Sequence, residues 1–125
     1  MNKETIHPKI QVSIAGEEMF FGPGPYRLLK IISETGSVRD ACNEMGLSYS
    51  KAWKILNRME NEMGCKVIIR SRGGAEGGHS TVTEFGKRYL KSYEEYNESV
   101  QAFAKKEMER IFAELNADMT GGDNK

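Results

Sequence analysis

Apolar and polar residues alternate along the start of the chain, over 9–14, which is the pattern of a strand with one buried face. Residues 15–18 are turn-like, and the apolar run 19–21 can return as a second strand. The pattern therefore predicts an N-terminal β-hairpin within residues 1–22. The glycine- and proline-rich stretch 22–25 ends the alternation and places a proline in the first turn of a helix, where its missing N–H costs nothing.

A spacing of three and four residues between apolar positions replaces the alternation from there onward and predicts three helices. The first runs over about 25–34, the second lies between a Ser37 cap and Gly46, and the third lies between a Ser48 cap and Gly64. The second and third helices meet at a tight glycine turn, and the third is longer and basic at its start. This is the outline of a helix-turn-helix.

A strand over 65–70 and a partner over 81–83 are predicted next, separated by a loop at 72–80 with four glycines in nine residues. Such a loop cannot contribute a packed core and needs its backbone freedom for another purpose. The order of helix, helix-turn-helix, strand, glycine loop and strand is that of a winged helix. The predicted fold is mostly α with small β, a winged helix-turn-helix over 23–83.

A long helix is predicted over 84–116, starting at a Thr83 cap, and its stretch from 84 to 115 is about 48 Å long at 1.5 Å per residue. A rod of this length overhangs so small a domain, so its apolar stripe is predicted to form a homodimer interface. The alternative is that the last third folds back as a separate helix. Residues 117–125 are predicted to be a disordered tail. The stripe comprises Tyr89, Tyr93, Tyr96, Val100, Ala104, Met108, Ile111 and Leu115.

Charge is distributed unevenly along this chain of 125 residues, although its formal net charge is zero. Residues 36–91 hold ten Lys and Arg against six Asp and Glu, and the flanks are correspondingly acidic. A basic middle between acidic ends is typical of a nucleic-acid-binding segment, because phosphate contact needs local positive charge. The chain has no apolar run of about 20 residues and no signal-peptide core, so we expect a cytoplasmic protein without membrane contact.

The predicted partner is double-stranded DNA, with the third helix in the major groove and the glycine loop as a wing on the backbone or in the minor groove. Base readout is assigned to the start of the recognition helix, residues 48–63, and phosphate or minor-groove contact to basic and hydroxyl residues around it. The readout residues are Ser48, Tyr49, Ser50 and Lys51, and the remaining contacts are Ser37, Lys54, Arg58, Arg70, Arg72, His79 and Ser80. Trp53 is expected to be a packing anchor between helices.

Catalysis and metal binding find little support in the sequence. The glycine loop has the spacing of a phosphate-binding loop, but His79 stands where that motif requires a lysine. The soft ligands His7, Cys42, Cys65 and His79 lack metal-site spacing, and two cysteines are too few for a disulfide scaffold. We therefore predict no enzyme activity, no metal and no cofactor.

Short segments spread over the predicted winged helix form a distinctive set: Phe21-Gly-Pro-Gly, Leu28-Leu29, Glu34-Thr-Gly-Ser37, Met45-Gly-Leu-Ser-Tyr49, Ala52-Trp53, Arg72-Gly-Gly74, Gly77-Gly78 and Thr83-Glu-Phe-Gly86. Together they closely resemble the N-terminal DNA-binding domain of ModE-type molybdate-responsive regulators, and more distantly that of LysR-type regulators.

The resemblance covers about residues 9–95 and implies a dimeric repressor or activator whose long terminal helix joins the subunits. Full-length ModE proteins add C-terminal molybdate-binding domains, for which we expect no room after Leu115, so any effector would be sensed by a separate protein. His79 stands where the wing of that family often has glycine. The alternative function is a dimeric winged-helix adaptor that binds a sensor subunit and touches DNA weakly or not at all.

Overall fold

The computed structural model describes residues 6–71 and 79–121, with side chains up to residue 118. By its contacts the chain divides into two units: one spans Gln11–Glu94, and the other combines the described residues up to Ile10 with those from Glu95 onward. None of the helices in the described ranges is long and apolar enough to span a membrane. In chain order the elements are β1 (Ile14–Ala15), β2 (Met19–Phe21), α1 (Pro23–Thr35), α2 (Val38–Met45), α3 (Tyr49–Met63), β3 (Ile68–Ser71), β4 (His79–Val82), α4 (Glu84–Ile111) and α5 (Ala113–Gly121).

The helix-turn-helix forms where the caps predicted it. The Ser37 hydroxyl accepts a hydrogen bond from the Asp40 N–H at 2.9 Å at the start of α2, and the Ser48 hydroxyl accepts from the Lys51 N–H at 3.0 Å at the start of α3. Gly46, with φ of 68°, ends α2 in the left-handed conformation that favours glycine. Because each helix has its own start and stop in the sequence, α2 and α3 end within a residue of the prediction.

The two sheets are antiparallel hairpins, β1 with β2 and β3 with β4. The predicted strand over 9–14 is wrong in extent, since β1 covers Ile14–Ala15. Within the alternating segment that precedes β1, Val12 is buried. Its carbonyl accepts a hydrogen bond from the Tyr93 hydroxyl at 2.8 Å. In the second hairpin β4 begins at His79, two residues before the predicted partner strand, while residues 72–78 of the wing loop lie outside the described residues.

The core of the Gln11–Glu94 unit fixes the orientation of α3. Helix α3 contributes Ala52, Leu56 and Met59 to it, all fully buried. The Glu60 carboxylate accepts the backbone N–H groups of Val67 at 2.8 Å and Ile68 at 3.2 Å, which holds the start of the wing hairpin against the same helix. These contacts bury one face of α3 and leave the opposite face exposed to solvent.

One tyrosine of the predicted dimer stripe, Tyr93, lies in this core, which corrects its assignment to the dimer face, while the assignment of Tyr89 stays a prediction. Tyr93 is 5% exposed, and Tyr89 is half-buried. Both rings pack edge-on against Phe21 with centroids 5.0 Å away, and burial raises the pKa of each phenol. Helical spacing shows that a face is apolar, but it does not show whether that face packs within the chain or on a second copy.

A polar cluster fastens α1 to the first half of α4. The Tyr26 hydroxyl donates to the Glu94 carboxylate at 2.5 Å, and the Lys30 ammonium lies 3.2 Å from the same oxygen. Burial, together with the Glu94 carboxylate, raises the pKa of Tyr26 to about 12. The hydrogen bond from Tyr26, followed by Lys30, holds the pKa of Glu94 below its usual range. The cluster therefore connects α1 with the part of α4 up to Glu94.

The predicted single helix over 84–116 is interrupted, and the predicted tail is partly helical. Helix α4 ends at Ile111, and α5 resumes at Ala113 and continues to Gly121. Backbone hydrogen bonds from the Phe112 N–H to the Met108 carbonyl at 2.9 Å, and from Asn116 to Phe112 at 2.8 Å, carry helical turns across the break. Alanine, glutamate and leucine at the start of this segment have high helix propensity and favour continuation of the helix. Residues 122–125 lie outside the described residues.

The second unit places an N-terminal arm, residues 6–10, along α4. The Gln101 amide donates to the Ile10 carbonyl at 2.8 Å. Three residues of the predicted stripe, Val100, Ala104 and Met108, are half-buried. The large apolar side chains that stay exposed on α4 are Tyr96, Phe103 and Ile111. Phe103 was not in the predicted stripe, although it lies on the same face as Tyr96, seven residues earlier.

Gly86→Ala is expected to destabilise the protein by about 1–3 kcal/mol, because a Cβ there would overfill a packed site. That atom would lie 2.7 Å from Val82 Cγ1 and 3.1 Å from the Val67 carbonyl oxygen, and the backbone oxygen cannot move aside cheaply. Gly24→Ala is the matched control, since a Cβ on this α1 residue would meet nothing within 4 Å. The control is expected to be neutral or stabilising by up to about 1 kcal/mol. Urea unfolding followed by circular dichroism compares the two, and equal effects would contradict this packing.

Candidate nucleic-acid interface

The start of α3 presents a polar, basic surface. Ser48, Tyr49, Ser50 and Lys51 are all exposed, and Lys54 is exposed one turn further on. The Ser48 oxygen is engaged as the helix cap, which leaves its O–H free to donate. The structure thus places all four predicted readout residues at the open end of one helix. Hydroxyls and an ammonium in this position can donate to phosphate oxygens or to acceptors on base edges.

An alternating array of cations and rings runs beside these residues. The Arg39 guanidinium of α2 lies over the Tyr49 ring, 5.3 Å from its centroid. The Tyr49 ring meets Trp53 edge-on at 6.3 Å, and the Arg70 guanidinium of β3 lies over Trp53 at 4.6 Å. Trp53 is half-buried, and its buried indole N–H has no hydrogen-bond partner among the described residues. The array connects α2, α3 and the wing.

Arg39 is the member of this array that sequence reasoning missed. It is exposed on the first turn of α2, two residues after the Ser37 cap. The sequence did show a basic residue, Arg39, near the start of α2 and a tyrosine, Tyr49, at the start of α3. Spacing along the chain does not give the crossing of two helices, so their contact could not be derived from sequence.

The wing is joined to the α1–α2 turn at its C-terminal strand. The Ser80 N–H donates to the Gly36 carbonyl at 2.9 Å, and a Cβ on Gly36 would overlap the His79 ring. His79 is exposed, and its ring lies against Gly36, the residue that precedes the Ser37 cap. Ser80, by contrast, is 8% exposed, so the prediction that its side chain contacts DNA is wrong. In the β4 pattern Ser80 points inward because alternate residues of a strand face opposite sides.

Two further arginines were predicted to contact DNA, Arg58 and Arg72. The Arg58 guanidinium pairs with the Glu18 carboxylate of the N-terminal hairpin at 3.1 Å, which partly neutralises its charge. Arg72 lies outside the described residues.

Among the described residues no group of three or more His, Cys, Asp or Glu is arranged to hold a metal ion. Cys42 is buried and Cys65 is exposed, and both are free thiols.

Comparison with known proteins connects this helix-turn-helix to transcriptional regulators. Residues 25–87, half of the chain, match the family described as bacterial regulatory helix-turn-helix proteins, lysR family. The chain is 32% identical over 97 residues to the molybdenum transport protein ModE of Azotobacter vinelandii, covering 78% of this chain and 34% of that protein. It is 32% identical over 79 residues to the DNA-binding transcriptional dual regulator ModE of Escherichia coli K12, covering 62% and 30% respectively.

The chain thus spans about a third of the length of these curated relatives. Among solved structures, a variant of ZitR from Lactococcus lactis is similar with a TM-score of 0.49 and 14% identity, over 94% of this chain and 85% of that one. The family match covers α1, α2, α3, the wing strands and the start of α4. This chain belongs to the lysR family of bacterial regulatory helix-turn-helix proteins.

Proposed function

We propose that this protein is a sequence-specific transcriptional regulator that binds double-stranded DNA as a homodimer. The observation that carries the proposal is the exposed start of α3, residues 48–51, on a helix whose other face is locked into the core. A major groove about 12 Å wide admits one α-helix, and the N-terminal residues of a recognition helix are those that meet base edges. DNA as the partner also implies action in the cytoplasm of a bacterial cell.

The proposed roles follow the exposure of each side chain. Ser48, Tyr49, Ser50 and Lys51 read bases, and Lys54 contacts the phosphate backbone. Ser37, His79 and Arg70 support the approach of the wing to the backbone or minor groove, together with Arg72 beyond the described residues. Arg58 has a smaller role in the proposal because Glu18 already pairs with it. The family match and the name of the Escherichia coli relative support DNA as the ligand.

The dimer is proposed to form through α4 and α5. Tyr96, Phe103, Ile111 and Leu115 leave large apolar side chains in water, which a second copy of the same helices would cover. Two recognition helices related by a two-fold axis would meet an inverted repeat, with half-sites one helical turn or a multiple of it apart. The proposed organisation is a winged helix over 23–83 followed by a dimerisation segment.

Salt titration tests the proposal against the adaptor alternative. Binding to a labelled duplex is measured by fluorescence anisotropy at several salt concentrations. Phosphate-driven binding weakens steeply with salt, because each neutralised phosphate releases condensed counterions. A protein that serves only as an adaptor through an apolar interface would show no duplex binding at low salt, and that result would replace the proposal.

Two variants on α3 separate readout from backbone contact. Lys54→Ala is expected to weaken binding to every duplex to a similar extent and to reduce the salt slope by about one. Ser50→Ala is expected to change the order of preference among duplexes, by about 1 kcal/mol at one base pair, with little change in salt slope. Both side chains are exposed, so neither change should unfold the protein. Equal losses on all sequences from both variants would refute the assignment of readout to the helix start.

A further inference from the structure

The array that begins at Arg39 and ends at Arg70 contains two residues, Arg39 and Trp53, to which the proposed function gives no role. Its two guanidinium groups come from different elements, α2 and β3, and each lies over a ring of α3. Arg39, Tyr49 and Arg70 are exposed, so the outer ends of the array face solvent. A guanidinium stacked on an aromatic ring keeps its N–H edge available, because the stacking uses the flat face.

Neither arginine is committed to a carboxylate within residues 6–71 and 79–121. The ion pairs in these ranges use Lys30, Arg58, Lys66, Lys87 and Arg110. Arg58 shows the contrast, since its guanidinium already pairs with the Glu18 carboxylate at 3.1 Å. The two stacked arginines therefore retain both their charge and their donors.

Stacking also lowers the cost of making a new contact. A free arginine side chain loses conformational entropy when it is fixed in one geometry. Arg39 and Arg70 are restrained by the rings before any ligand arrives, so less remains to be lost. The planar fork then offers paired N–H groups to an oxyanion, the geometry that suits a phosphate better than an ammonium does.

We propose that Arg39 and Arg70 are phosphate-binding residues at the two ends of the recognition surface, with Arg39 stacked on the base-reading Tyr49 and Arg70 held in place by Trp53 as a positioning residue. The inference rests on the proposed DNA-binding function and deepens it. It adds Arg39 to the interface and gives Trp53, the single tryptophan of the chain, a role beyond packing. The ligand chemistry is a row of backbone phosphates on a duplex.

The first test is the salt dependence of binding to one duplex by the wild-type protein and by Arg39→Gln and Arg70→Gln. Each substitution is expected to lower the magnitude of the slope of log K against log salt by about 0.9, the value for one phosphate. Arg27→Gln is the matched control, because Arg27 is exposed on α1 in the same unit and should leave the slope unchanged. Slopes for both arginine variants equal to that of the control would overturn the inference.

The second test asks whether Trp53 acts through Arg70. Trp53→Leu is expected to lower the slope as Arg70→Gln does, the double variant should lose no more than either single one, and Trp53→Phe should restore most of the slope. Thermal unfolding confirms that each variant is folded. Additive losses, or a weaker Trp53→Leu affinity with an unchanged slope, would reduce Trp53 to a packing residue and overturn its positioning role.

The two proposals fail in distinguishable ways. A wild-type protein with a steep salt slope, combined with unchanged slopes in Arg39→Gln and Arg70→Gln, would refute only the arginine inference. A wild-type protein that binds no duplex at low salt would refute both.

Discussion

Phe103→Glu is expected to convert the proposed dimer into monomers and to lower the affinity for an inverted-repeat duplex by about 10²–10⁴-fold. Phe103 is 66% exposed on α4, on the face shared with Tyr96, and the proposed partner helix would cover it. A carboxylate buried there without a partner would oppose association. Two linked recognition helices bind with high effective concentration, and a monomer forfeits that advantage without losing any contact at its own half-site.

Ala102→Glu is the matched control for this prediction. It adds the same charge to the same helix, at an exposed position about 100° around the helix axis from Phe103. Analytical ultracentrifugation and duplex titration are the measurements. The control is expected to remain a dimer with nearly unchanged affinity. A dimer that survives Phe103→Glu, or is equally disrupted by Ala102→Glu, would place the interface elsewhere.

Phe21→Ala is expected to cost about 3–5 kcal/mol of folding free energy, a large part of the 5–15 kcal/mol typical of a domain. Phe21 is fully buried at the end of β2, and its ring is the common neighbour of Tyr26, Tyr89 and Tyr93. Removing the ring leaves a cavity among three aromatic groups that are hydrogen-bonded or packed in place. Urea unfolding at fixed protein concentration should show the midpoint falling by roughly 1–3 M.

Met19→Ala provides the comparison within the same strand. Met19 is 48% exposed, so its truncation should cost less than about 1 kcal/mol. Similar midpoints for Phe21→Ala and Met19→Ala would show that Phe21 is not the hub of this core.

Much of the winged helix could be predicted from the sequence because its boundaries have local causes. Ser37 and Ser48 cap the helices that they were predicted to cap, and Gly36, Gly46 and Gly64 end α1, α2 and α3 in the left-handed conformation. Thr83 likewise caps α4, accepting the Gly86 N–H at 2.9 Å. Each of these signals acts within four residues along the chain, which is the range that sequence patterns describe well.

The parts that sequence reasoning got wrong depend on distant contacts. Tyr93 continues an apolar helical stripe, yet its hydroxyl donates to the Val12 carbonyl and its ring belongs to the core. Residues 9–13 alternate like a strand but lie outside β1, and the Val12 carbonyl accepts its hydrogen bond from that same tyrosine. The contact of Arg39 with Tyr49 depends on how α2 crosses α3. No periodicity along the chain encodes these pairings.

The most direct test of the central claim is selection of bound duplexes from a random-sequence library, with the enriched DNA sequenced. We expect an inverted repeat whose half-site centres lie one helical turn, or a multiple of it, apart. We also expect that Ser50→Ala alters the enriched half-site whereas Lys54→Ala does not. Absence of enrichment in a protein that binds the library, or enrichment of a sequence insensitive to residues 48–51, would contradict recognition by the start of α3.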